Sequence, residues 1–142
     1  MWNFNNFILT EVTDRCNLEC PHCYHLPDNK IKDVSIESLV ERFTNYPDGI
    51  QHVVLAGAES SLRKDIKELC IEVSKLNKTP HLLTNGVRFA DEDFVKEITT
   101  AECDIIINIG LNHKDYLGNN TIRNKQLKGI ENINRHSGIL SY

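Results

Sequence analysis

Residues 13–29 read TDRCNLECPHCYHLPDN and bring Cys16, Cys20 and Cys23, three of the chain's five cysteines, within eight residues. What can hold three thiols so close depends on where the segment sits in the fold. A disulfide, a zinc ion, a redox pair, an iron–sulfur cluster and no ligand at all are the candidates. The N-terminus MWNFNNFILT lacks the basic start and long apolar run of a secretory signal. A cytoplasmic setting with reduced thiols is therefore expected, and an odd cysteine count disfavours a fully paired framework.

Working outward, residues 7–13 (FILTEVT) read as a first strand, so the cysteines follow a strand directly. Short apolar runs then alternate with amphipathic stretches. Ile36, Leu39, Val40 and Phe43 recur at helical spacing behind Ser35, a suitable N-cap. Residues 52–56 (HVVLA) form a β-branched run fit for a buried strand. Ile66, Leu69, Cys70, Val73 and Leu76 mark a second helix, with Asp65 as its cap and Glu68 three residues on. Residues 80–84 (PHLLT) end at the turn pair Asn85-Gly86. Phe94, Val95 and Ile98 mark a third helix, and residues 104–111 (DIIINIGL) a fourth strand. Ile122, Leu127, Ile130 and Ile133 mark a fourth helix, weakened by Gly129 and stopped by Gly138. Residues 138–142 (GILSY) read as the start of a fifth strand.

Strand–helix alternation four times over implies an α/β fold with parallel strands and helices outside. A closed eightfold barrel takes about 250 residues. The 142 residues here therefore suit one incomplete domain over 1–142, a partial (β/α) barrel of about four units. Ligands in such sheets sit beyond the carboxyl ends of the strands. That rule selects residues 14–29, 57–61, 85–88 and 110–123. An open last strand leaves an unpaired edge, so a homo-oligomer, a partner or a further C-terminal portion is expected to cover it.

Hydrophobic residues make up 40% and charged residues 25%, with a formal charge of −4 and no basic stripe. That balance argues against a general nucleic-acid binder. No apolar run approaches the roughly 18–20 residues of a membrane span.

A structural zinc site takes four protein ligands, so His22 or His25 would have to complete the three cysteines. Cys70 lies on an apolar helix face and Cys103 precedes a strand, and both read as small buried hydrophobes. A Cys20–Cys23 redox pair leaves Cys16 without a role. A [4Fe–4S] cluster normally takes four cysteines; three leave one iron open to a substrate or cofactor.

CNLECPHCY resembles the signature loop of the radical S-adenosylmethionine (SAM) superfamily: C-x3-C-x2-C and then an aromatic, after a first strand. HVVLAGAESSLRKDIKELC is similar to that family's second strand and Gly-Gly-Glu-Pro segment. HLLTNGVRF is similar to its third-strand turn, CDIIINIGLNH to its fourth strand and TIRNKQLKGIENINR to the start of its fourth helix. Together these cover about residues 7–136.

The resemblance implies that Cys16, Cys20 and Cys23 bind three irons of a [4Fe–4S] cluster while SAM chelates the fourth. A donor such as flavodoxin or ferredoxin would supply an electron. SAM would then be cleaved to methionine and a 5′-deoxyadenosyl radical that takes hydrogen from an unknown substrate. It further implies that Tyr24 lies near the adenine, that Glu59 accepts hydrogen bonds from the SAM ammonium with Gly57 and Ala58 in the same cofactor-binding segment, and that Asn85 meets its methionyl part. Arg123 corresponds to an arginine that grips the carboxylate. Ala58 and Ser60 stand where the family has glycine and proline. Gly110 stands where it often has a polar residue, with Asn108 and Asn112 two positions away. His22, His25 and His113 lie in or near these loops, whereas His52 and His81 are expected at the opposite end of the sheet. The competing reading is a non-catalytic metal-binding module, with zinc or a degenerate iron–sulfur site.

Overall fold

The structure, a computed structural model, describes residues 6–111 and 120–137. Its elements are β1 (Phe7–Glu11), α1 (Ile36–Thr44), β2 (His52–Ala56), α2 (Ile66–Lys75), β3 (Thr79–Thr84), α3 (Glu92–Thr99), β4 (Ile106–Ile109) and α4 (Asn120–Ser137). Short 3₁₀ turns at Ser60–Leu62 and Val87–Ala90 follow β2 and β3. The strands form one parallel sheet in the order β1-β2-β3-β4. The expected α/β architecture of four parallel strand–helix units is therefore observed. No described helix is long and apolar enough to cross a membrane.

Register separates the two faces of the sheet. Val53, Leu55, Leu82 and Ile107 point to one side and are buried. There they meet Leu39 and Phe43 of α1, Leu69 and Val73 of α2, Phe94, Val95 and Ile98 of α3, and Ile133 of α4 in a single core. Each such side chain contributes about 1.5–3 kcal/mol when fully buried. The other side carries Leu9, Val54, His81, Leu83 and Asn108. On it Leu9 and Leu83 are exposed.

The helices start as local chemistry dictates, with one exception. The Ser35 hydroxyl accepts the Ser38 N–H at 3.2 Å to open α1. Asp91 does the same for α3 through Asp93 N–H at 3.0 Å. Asp65, expected to cap α2, makes no side-chain cap bond. Its carboxylate instead takes two donors from Arg63, each at 2.9 Å, because a charged fork outcompetes a lone backbone N–H.

Two strands are shorter than their apolar runs suggested. β1 stops at Glu11 and β4 covers only Ile106–Ile109; past them backbone bonds persist, such as Val12 N–H to the Ala56 carbonyl and Gly110 N–H to the Thr84 carbonyl, without a regular ladder. Cys70 is fully buried and its thiol is pushed far up by burial, with Cys103 beside it. Cys103 is partly buried against the core. The expected fifth strand at 138–142 and the stop at Gly138 lie outside the described residues, as do Asn112 and His113.

Helix α4 corrects the apolar-face expectation. Leu127 is 44% exposed, whereas Gln126 and Asn132 are fully buried. The buried stripe runs through Gln126, Gly129, Asn132 and Ile133 because α4 packs on backbone turns whose carbonyls need donors. Asn132 Nδ2 serves the Phe89 and Ala90 carbonyls at 3.1 Å each. Gly129, expected only to weaken the helix, sits at the crossing. A Cβ there would lie 2.7 Å from the Gly86 carbonyl oxygen and 3.0 Å from Phe89 Cβ.

On the open face, His52 Nδ1 and His81 Nε2 are 3.0 Å apart, and Phe7 stacks on His52 with centroids 4.3 Å apart. Burial, and then the neighbouring His52, lower the pKa of His81. The unfolded chain therefore takes up a proton that the folded chain resists. The stabilising effect is complete above the ordinary histidine value of about 6.5 and is lost as pH falls below it. Thermal midpoints should drop between about pH 7.5 and about pH 5.5, and His81→Asn should flatten that dependence.

Gly129→Ala sets a helix-propensity gain of about 1 kcal/mol against overpacking of about 1–3 kcal/mol. The atoms in the way are largely backbone and cannot swing aside, so overpacking wins. Urea unfolding should show a net loss of up to about 2 kcal/mol; a stabilised variant would mean that α4 is not seated as described.

Candidate functional site

The cysteine loop leaves β1 and is closed by its own ends. Asp28 N–H donates to the Asp14 carbonyl at 2.9 Å, and Cys16 N–H to Asn29 Oδ1 at 3.0 Å. Farther back, Asp33 accepts the Thr13 hydroxyl at 2.6 Å and pairs with the Arg15 guanidinium. Burial raises the pKa of Asp33, but the Arg15 and Thr13 hydrogen bonds outweigh it and hold the carboxyl below its usual range. The loop is thereby clamped without regular secondary structure.

All three loop cysteines are free thiols, Cys16 and Cys20 half-buried and Cys23 exposed. Leu18 N–H points at Cys16 Sγ from 3.4 Å. Burial pushes Cys16 up, the Leu18 bond opposes this, and Glu59, Cys20 and Cys23 push it up further. Cys20 is raised by burial and then by Cys23. The thiols thus share one electrostatic neighbourhood. A pocket of about 460 Å³ opens beside Cys16, lined by Cys16, Asn17, Leu18, Glu19, Pro27 and Asn29. Tyr24 is 78% exposed, with its ring edge-on to His25. His25 Nε2 lies 3.2 Å from Asp14 Oδ1, near enough for attraction but out of line for a hydrogen bond. His22 is exposed.

The segment after β2 is laced onto the start of this loop. Ala58 N–H donates to the Thr13 carbonyl and Glu59 N–H to the Arg15 carbonyl, both at 2.9 Å. Gly57 has φ +113°, and a Cβ on it would lie 2.2 Å from the Thr13 oxygen. Only glycine fits there, for conformation and for space. Arg63, 1% exposed, reaches across to the Val12 carbonyl at 2.7 Å. Arg15 returns a bond to the Leu62 carbonyl at 3.1 Å. Arg88 donates to the Ser61 and Arg63 carbonyls, with its guanidinium 3.9 Å from the centroid of Phe94. Ser60, standing where the family pattern has proline, is buried and donates to the Leu83 carbonyl at 2.9 Å.

Glu59 is buried, 1% exposed. Its Oε1 accepts Ser61 N–H at 3.1 Å and the Ser61 and Thr84 hydroxyls at 2.5 Å each. Its Oε2 accepts Asn85 N–H at 2.6 Å. Asn85 in turn donates from Nδ2 to Asn17 Oδ1 at 2.8 Å. Gly110 N–H donates to the Thr84 carbonyl at 2.9 Å. Gln126 Nε2 bonds the Asn85 and Gly110 carbonyls. Arg123 lies in the first turn of α4, three residues before Gln126, with its own partners. Asn108 lies on the open face instead, 3.4 Å from His81.

The fold therefore gathers Cys16, Glu59, Ala58, Asn85, Gly57 and Gly110 at the carboxyl edge of adjacent strands, and sets Asn108 one pairing step back from that edge, opposite Leu83. Arg15, Asp33, Arg63, Ser61 and Gln126 were not anticipated. A helical Gln126-Gly129-Asn132 spacing was the one sequence signal for the last. Among the described residues, no three His, Cys, Asp or Glu side chains are grouped to hold a single ion. An iron–sulfur cluster takes one thiolate per iron, so its ligands need not converge on a single ion.

The sequence profile described as the Radical SAM superfamily matches residues 10–136. The PqqA peptide cyclase of Methylorubrum extorquens is 29% identical over 75% of this chain and 26% of its own length. The GTP 3′,8-cyclase of Desulforamulus reducens is 33% identical over 63% of this chain and 30% of its own. Streptococcus suis SuiB, solved with its precursor peptide SuiA, matches 92% of this chain and 30% of its own with TM-score 0.73 at 17% identity. Its SAM-bound structure matches with TM-score 0.67. The chain thus spans under a third of the length of these relatives.

Glu59→Gln tests the buried carboxylate. Whichever way the amide turns, either Ser61 N–H or Asn85 N–H faces an amino group. Such an unsatisfied buried donor costs about 1–3 kcal/mol, and chemical denaturation should show a loss of that size. A neutral substitution would mean that the carboxylate is not engaged.

Proposed function

This chain belongs to the radical SAM superfamily, and on that premise we propose that it forms the cofactor-binding core of a radical SAM enzyme. Members of the superfamily use a [4Fe–4S] cluster and SAM. Here Cys16, Cys20 and Cys23 would hold the cluster. The carrying observation is the placement of three free thiols at the carboxyl edge of a parallel sheet, laced to a buried glutamate. Cluster and SAM together supply an electron transfer that breaks the SAM sulfur–carbon bond and starts hydrogen abstraction from a substrate.

What the chain's own residues do follows from their surroundings. The thiols release their protons on ligation, and Leu18 N–H remains aimed at Cys16 Sγ. A carboxylate oxygen has two lone pairs. Glu59 Oε2 takes Asn85 N–H and retains capacity for one further donor, which suits the SAM ammonium in a charge-assisted bond. Gly57 and Ala58 let the backbone lie close to that group. Asn85 and Gly110 frame the neighbouring strand ends. Arg123, on the first turn of α4, is assigned to the SAM carboxylate and Tyr24 to the adenine. Asn108 is assigned to the open face below them.

Two relatives are a peptide cyclase and a protein solved with a precursor peptide. A third relative is a GTP cyclase, so the relatives do not single out one substrate class for the whole protein. A small flavodoxin- or ferredoxin-like donor would supply the electron. The competing reading is a metal-binding module without turnover.

Anaerobic reconstitution separates the two. The proposal expects about four irons and four sulfides per chain, broad visible absorption, loss of the cluster in Cys20→Ala, and 5′-deoxyadenosine on adding SAM and reductant. Zinc uptake with no iron chromophore would sink it, and a cluster that leaves SAM intact would favour the module.

A further inference from the structure

Gln126 is fully buried in α4, yet it is an amide where the helix pattern calls for an apolar residue. Its Nε2 donates to the Asn85 carbonyl at 2.8 Å and the Gly110 carbonyl at 3.0 Å. An amide nitrogen has two hydrogens, so both are used, and one side chain ties together the ends of β3 and β4. A methionine of similar length would fill the same space without serving either carbonyl.

Asn85 carries the connection onward. Its Oδ1 accepts Val87 N–H at 3.0 Å, which fixes the side-chain amide in one orientation. Its Nδ2 then reaches the cysteine loop, 2.8 Å from Asn17 Oδ1 and 4.0 Å from Cys16 Sγ. Its backbone N–H holds Glu59. An unbroken path of amides therefore runs from the interior of α4 to the segment that bears the first cysteine. Asn132, two turns along α4, bonds the 3₁₀ turn and does not join this path.

We propose that Gln126 and Asn85 form a positioning relay through which the seating of α4 sets the conformation of residues 16–18 and the surroundings of the Cys16 sulfur. The part concerning a bound cluster rests on the radical SAM reading; the relay itself rests on the hydrogen bonds. An N–H beside a thiolate ligand stabilises its negative charge and favours the reduced cluster. Loss of the relay therefore lowers the reduction potential.

The test compares Gln126→Met, Asn85→Ala and the double variant in the full chain by hydrogen-exchange mass spectrometry. Each single variant should speed amide exchange in residues 16–18 several-fold, leaving residues 53–55 of β2 unchanged. The double variant should add little, because the two residues act in series. Asn85→Ala keeps the test decisive if Gln126→Met folds poorly, since Asn85 is only half-buried. After reconstitution, both variants should shift the cluster potential in the same, more negative direction. A lowered melting temperature with loop exchange and potential as in the wild type would overturn the relay and leave Gln126 a strut. A wild-type chain that binds no cluster would sink the cofactor reading, and exchange alone would then decide the relay.

Discussion

The pairing of Gly57-Ala58-Glu59 with Thr13-Asp14-Arg15 is the constraint on which the remainder of the site depends. Two backbone bonds at 2.9 Å continue the β1–β2 ladder past the last sheet residues. The Thr13 oxygen lies so close to Gly57 that any side chain there would displace it. Because the strip cannot slide, the first cysteine and the buried glutamate keep a fixed relation. Everything else at the carboxyl edge is arranged around that relation.

Charge is handled in the same spirit. Burying an ionised group without partners is costly, and the site contains buried Glu59 and Arg63. Each is satisfied mainly by groups of the neighbouring loops. Glu59 collects donors from Ser61, Thr84 and Asn85, and Arg63 spans the Val12 carbonyl and Asp65. These charges work as bolts between loops that share no regular secondary structure. That is why irregular segments remain ordered at the edge where the pocket lies.

Much of the fold was legible because strand and helix periods differ so clearly. The order and type of all four strand–helix units and the Ser35 cap were readable from local pattern. The cysteine loop was readable from spacing, and the glutamate from its motif. The misreadings share a cause. Leu127 was assigned to the buried face of α4 on hydrophobicity, but the helix rests on turn carbonyls that Gln126 and Asn132 must satisfy. Asp65 was assigned as a cap because aspartate favours caps, but a guanidinium two residues earlier claims it. Gly129 carried a propensity penalty and no sign of the backbone crossing it permits.

The sequence by itself determined that this chain is a parallel α/β unit with three spaced thiols following its first strand, since spacing and periodicity are properties of neighbours along the chain. Tertiary structure alone decided that Glu59 is a buried junction rather than a solvated loop charge. It also set Asn108 beside His81, and made an α4 glutamine the tie between two strand ends. Each of those outcomes depends on residues more than 15 positions apart in the chain meeting in space. A local pattern holds no record of which carbonyl will be left needing a donor.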